Sequence, residues 1–191
     1  MGTSISHSSP STSNWHAVAA TYLSESIGTE RVVQEIWRAA SHQPTGDIVT
    51  DLAQPIIQRC LQIALEAKSP QDAYQNTARM IALSERSTLA TDIAKRAVVG
   101  VFLRDEERAS CFIRLLFSGA VDYLISRDLP SYIGKGNRLE NVTDSIKFKI
   151  SIKQQVETIV SAFPVSREII RDSVEWKNYI KDVVASLAGA H

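Results

Sequence analysis

Residues 109–127 read A-S-C-F-I-R-L-L-F-S-G-A-V-D-Y-L-I-S-R. At ~100° per residue, Phe112, Ile113, Leu115, Leu116, Phe117, Ala120, Val121, Tyr123, Leu124 and Ile125 cover most of a helix circumference. One narrow stripe is polar: Arg114, Ser118 and Asp122, each a helical turn after the last. A helix apolar nearly all round belongs inside a protein, wrapped by other helices. The run is therefore expected to form the centre of an all-α fold.

The flanking sequence supplies the wrapping. Toward the N-terminus, Val32, Val33, Ile36, Trp37 and Ala40 repeat at helical spacing after Thr29, and a further helix is expected from Trp15 behind an Asn14 cap. A third pattern runs from Asp47 to Leu65, with Pro55 marking a kink or a restart at Gln54. Ser69-Pro70 with Asp72 reads as a helix start: a capping serine, proline in the first turn and an acidic residue reaching back. Thr88–Leu103 follows, and then Asp105-Glu106-Glu107, three acids suited to the positive end of the central helix.

Beyond residue 127 the segment from Ser131 to Asp144 is irregular, and a final helix is expected over Arg167–Leu187 behind Ser166, with residues 188–191 frayed. The segment 146–152, I-K-F-K-I-S-I, alternates as a strand would. A lone strand has no partner within this chain and could pair only with a second copy or another protein's edge; the favoured reading is the start of the helix that Ile152, Val156, Ile159, Val160 and Phe163 define. The expected architecture is a flexible tail over 1–13 and one helical domain over 14–191, a bundle of six or seven helices around 109–127. Gly100 and Gly119 fall within helices, where glycine costs ~1 kcal/mol against alanine. Both are expected to face a close neighbouring helix.

Composition narrows the function. The 191 residues carry 21 basic and 21 acidic side chains, so the chain lacks the net positive field of a general nucleic-acid or anionic-membrane binder. Two cysteines, Cys60 and Cys111, lie in apolar helical patterns and read as core residues in a reducing, cytoplasmic compartment. No signal segment opens the chain, and Arg114 and Asp122 interrupt its most apolar run, so no membrane partner is expected.

His7, His16, His42 and His191 share no helical spacing, and neither zinc-ligand spacing, a phosphate loop nor a nucleophile elbow occurs. No metal, no cofactor and no catalytic residue are expected. Asn141-Val142-Thr143 matches a glycosylation sequon, which the expected compartment makes a coincidence.

Two surfaces stand out. The stripe Arg114, Ser118 and Asp122 is either the exposed edge of the central helix or the lining of a pocket, where an aromatic such as Trp15, Trp37 or Tyr123 would accompany it. Lys135, Arg138, Lys147, Lys149 and Lys153 make the stretch after the central helix locally basic, a candidate docking surface for a protein, self or other. Gly134 and Gly136 flank Lys135 there, but no strand precedes them as in a true phosphate loop.

Residues 78–93 faintly echo a helix-turn-helix, with Arg86, Lys95 and Arg96 near phosphate reach. Thr88 and Thr91 stand where its packing residues should be. The expected role is thus a non-catalytic interaction or regulatory module. The alternative is a small-molecule binder or enzyme with a pocket beside the central helix, and DNA binding has the least support.

Overall fold

Helical spacing of apolar residues, rather than any one motif, dictates the architecture. The computed structural model describes residues 28–41, 48–84, 87–126, 134 and 139–190. Among them are nine α-helices and no strand. They are α1 (Thr29–Ser41), α2 (Ile48–Leu52), α3 (Pro55–Glu66), α4 (Pro70–Leu83), α5 (Leu89–Gly100), α6 (Arg108–Ser126), α7 (Val142–Val160), α8 (Arg167–Arg171) and α9 (Ser173–Leu187). A 3₁₀ turn, Val101–Leu103, extends α5. Two helices are five residues long, leaving seven substantial ones, α6 among them. The expected tail over 1–13 and the helix from Trp15 lie outside the described residues.

The central helix packs on α3, α5 and α7. Phe112, Ile113, Leu116 and Phe117 are fully buried, each worth about 1.5–3 kcal/mol of transfer free energy. Trp37 of α1 reaches the same core, its ring centroid 5.4 Å from that of Phe117. One contiguous cluster of buried apolar side chains runs from Val32 to Ala188. By length and composition α6 could cross a membrane, but over half of it is buried among its neighbours, as a core helix requires.

Local chemistry sets the boundaries. Pro55 does force a restart: α2 ends at Leu52, and α3 begins with Gln54 in extended conformation and Pro55 in its first turn. Ser69 caps α4 by accepting the Asp72 N–H at 3.1 Å. The Asp72 carboxylate accepts from Lys68 N–H rather than from the cap residue itself, so the expected box closes one residue early. Thr88 and Thr91 form a reciprocal capping box at α5, Thr91 N–H to Thr88 Oγ1 at 3.3 Å and Thr88 N–H to Thr91 Oγ1 at 2.9 Å. Asn141 of the sequon-like triplet caps α7, accepting from Asp144 N–H at 3.0 Å.

The alternating segment is helical, as its lack of a partner implied. Phe148 and Ile152 face the core, while Ile146 and Ile150 face outward. Two stripes of spacing four, offset by two residues, produce in sequence the alternation of a strand.

Two expectations at the C-terminus need correction. The final helix is broken at Asp172, whose backbone is extended and whose carboxylate accepts from Val174 and Glu175 N–H. The break is held from α3, where Gln58 Nε2 donates to the carbonyls of Ile169 and Asp172, both at 2.8 Å, and Gln62 Nε2 to that of Ile170. Residues 188–190 are pinned rather than frayed. Gly189 at φ +67° closes a Schellman turn, with Ala190 N–H on Ala185 O and Gly189 N–H on Ser186 O, and Arg38 Nε donates to Ala188 O at 2.8 Å.

Candidate functional site

The polar stripe of α6 divides between two environments. Arg114 is three-quarters buried and pairs with Glu106 in the turn before α6. Glu106 also lies 3.6 Å from Arg104, and Arg104 forms a two-pronged pair with Glu157 of α7 at 3.1 and 3.2 Å. This chain of alternating charge ties the start of α6 to the far end of α7. The acidic cluster is thereby dispersed: Glu106 pairs with arginines, while Glu107 accepts the Ala109 and Ser110 N–H groups at 2.9 and 2.7 Å. Burial pushes the Glu107 carboxyl up, and those backbone and hydroxyl hydrogen bonds outweigh it, leaving the group below its ordinary range. Among the described residues, no group of three or more His, Cys, Asp or Glu side chains converges as metal ligands would.

Ser118 and Asp122 belong to a different place. With Gly119, Tyr123 and Ser126 they line a cleft of about 470 Å³ over the C-terminal half of α6. Leu89, Asp92, Ile93, Arg96 and Ala97 of α5 form one wall, and Lys153 of α7 stands on the other side. Ser118 is buried, and its hydroxyl makes only a long 3.4 Å bond to Leu115 O. Asp122 pairs with Lys149 of α7 at 3.1 Å. The stripe is therefore neither an open edge nor a single pocket lining. Arg114 is structural, while Ser118 and Asp122 wall the cleft.

Of the aromatic residues considered for it, Tyr123 lines the cleft, Trp37 is buried elsewhere, and Trp15 lies outside the described residues.

The basic stretch is likewise divided. Lys147 is exposed, Lys149 bridges to Asp122, and Lys153 faces the cleft. Lys135 and Arg138 lie outside the described residues. Gly134, at φ +89°, spends its N–H on Leu139 O at 2.7 Å, which removes that donor from any phosphate cradle. On α7 the spacing of three and four puts Ile146, Lys149, Ile150 and Lys153 on one strip, which borders the cleft. Sequence reading did not pick out Ile146 and Ile150, because their alternation masked a second helical face.

The helix-turn-helix echo finds little room. α5 packs on α2, α3, α4 and α6, and Arg96 is its only exposed side chain. A recognition helix needs an open face of several side chains. Lys95 is occupied by Asp92 at 3.8 Å and lies over the Tyr74 ring, and Arg86 is outside the described residues.

Cys60 and Cys111 are free and buried. Burial pushes the Cys60 thiol up to about 12 and also raises Cys111, the reverse of what a nucleophile needs. In comparison with known proteins, no family model, no curated protein and no solved structure matches the chain.

Proposed function

We propose that the protein is a non-catalytic interaction module whose docking face is the outer strip of α7. One observation carries this reading: Val142, Ile146 and Ile150 are 63%, 54% and 50% exposed at successive turns of one helix. Single exposed apolar residues need no explanation, but an aligned row of β-branched ones with lysines beside it has the make-up of a protein contact. Lysines 147, 149 and 153 would orient a partner rather than supply most of its affinity.

The test replaces Ile146 and Ile150 together by glutamate, exposed positions where the fold should tolerate the change. Sedimentation velocity reports self-association, and quantitative cross-linking in host lysate reports other partners. Loss of either in the variant, with an unchanged thermal midpoint, supports the reading. A chain that is monomeric and cross-links identically with and without the substitutions overturns it.

A second reading, a small-molecule site beside the central helix, has its own support. The cleft's volume of about 470 Å³ falls in the ~300–1,000 Å³ range of ligand pockets. Ser118, Asp122 and Tyr123 all contribute to its lining. In a thermal-shift screen with metabolites, a shift that a cleft substitution removes supports this reading, and no response to any compound counts against it.

A further inference from the structure

We propose that the α5–α6–α7 cleft takes a small organic anion, an apolar body carrying a carboxylate or a phosphate. This rests on the small-molecule reading of the cleft and adds the chemistry of its occupant.

The charge inventory points that way. The cleft lining holds Asp92, Arg96, Asp122 and Lys153. Both carboxylates are compensated from outside the lining, Asp92 by Lys95 at 3.8 Å and Asp122 by Lys149 at 3.1 Å. Arg96 and Lys153 have no ion-pair partner among the described residues. They stand on α5 and α7, with α6 between them, so two uncompensated cations flank the cleft from different helices. A bound anion would be attracted from both sides, by the half-buried Lys153 and the exposed Arg96.

The neutral polar groups agree. Ser126 Oγ is buried without a hydrogen-bond partner among the described residues, and Ser118 has only its long bond to Leu115 O. Both are hydroxyl donors without a good acceptor, which a carboxylate or phosphate oxygen would supply. Leu89, Leu115 and Tyr123 offer apolar surface beside them, more than a bare inorganic ion would use. A cation in this cleft would gain little, because each carboxylate already has its lysine.

The experiment is a two-dimensional amide NMR titration of the full chain with benzoate, phenyl phosphate, phenol and inorganic phosphate. Benzoate or phenyl phosphate should shift the amides of 92–97, 118–126 and 153 saturably, at least about tenfold more tightly than phenol or inorganic phosphate. Preference between those two identifies the anionic group.

Arg96→Gln and Lys153→Gln should each weaken that binding by about fivefold, as expected for partly exposed charge pairs, while leaving the remaining spectrum unchanged. Phenol binding as tightly as the anions overturns the anion assignment while sparing the small-molecule reading. Inorganic phosphate binding as tightly as phenyl phosphate overturns the apolar body. Anion binding that ignores both substitutions overturns the site, and the absence of cleft shifts with every probe overturns the small-molecule reading as well.

Discussion

The Cγ2 methyl of Ile93 lies 2.8 Å from where a Cβ on Gly119 would sit. The same seam holds the converse contact, since a Cβ on Gly100 of α5 would lie 2.8 Å from Leu115 Cδ1 of α6. Each helix thus surrenders a side chain where the other inserts one, and both glycines offset their helix cost by close approach. The two clashes differ in kind. Leu115 Cδ1 ends a flexible side chain that can rotate away, whereas Ile93 Cγ2 is fixed to a β-branched carbon.

Gly119→Ala should therefore destabilise by about 1–3 kcal/mol through overpacking. Gly100→Ala should stay within about 1 kcal/mol of wild type, because relief of the glycine penalty offsets the repacking. Urea titrations of the two variants decide this. A Gly100 variant less stable than the Gly119 variant would contradict the packing described.

Gln58 is buried and uses both protons of Nε2 at the break, one on the Ile169 carbonyl that α8 leaves free and one on the Asp172 carbonyl that Trp176 N–H also reaches. Gln58→Leu fills similar space but leaves the Ile169 carbonyl without a donor, at about 1–3 kcal/mol if it stays dry, while the Asp172 carbonyl keeps the Trp176 N–H at 2.9 Å. The expected loss is about 1–3 kcal/mol. Hydrogen exchange should show faster opening in 167–176 than in α6. Uniform acceleration across the chain would mean that Gln58 supports the whole fold rather than the α8–α9 corner.

Glu107 provides a pH-dependent contribution at the start of the central helix. Its carboxyl lies below the ordinary value of 4.5 in the folded chain, so its stabilisation is complete above that value and fades as pH falls through the lowered one. Glu107→Ala should cost about 1 kcal/mol at neutral pH, the usual worth of such a cap. The gap between wild type and variant should close as the solution is acidified below 4.5. A gap that stays constant down to full protonation would show that packing, not the charged cap, is lost.

Much of this fold was legible because helical periodicity is local. The apolar run of 109–127, the Pro55 restart and the Ser69 cap each follow from a few adjacent residues. What escaped depends on distant residues. The break at Asp172 has one local signal, Asp172 as a cap with Glu175 three residues on, but the glutamines that hold it open lie more than 100 positions earlier. Arg114 and Asp122 share a stripe in sequence, yet Glu106 claims one and Lys149 the other. The cleft itself needs Arg96 and Lys153, which belong to different helices and share no motif.

The two thiols offer a last check on the core. Cys60 and Cys111 are both fully buried, and with Cys60 pushed up to about 12 its thiolate is scarce near neutrality. At pH 8 that leaves on the order of one Cys60 in ten thousand ionised, before access is considered. A disulfide-exchange reagent should therefore count no thiol in the folded chain over minutes and two in denaturant. Slow labelling over hours should follow opening, and destabilising Gly119→Ala should accelerate it. If one thiol labels first it should be Cys111, whose upward shift Arg104 partly opposes. Immediate reaction at Cys60 in the native chain would be incompatible with its place on the core face of α3.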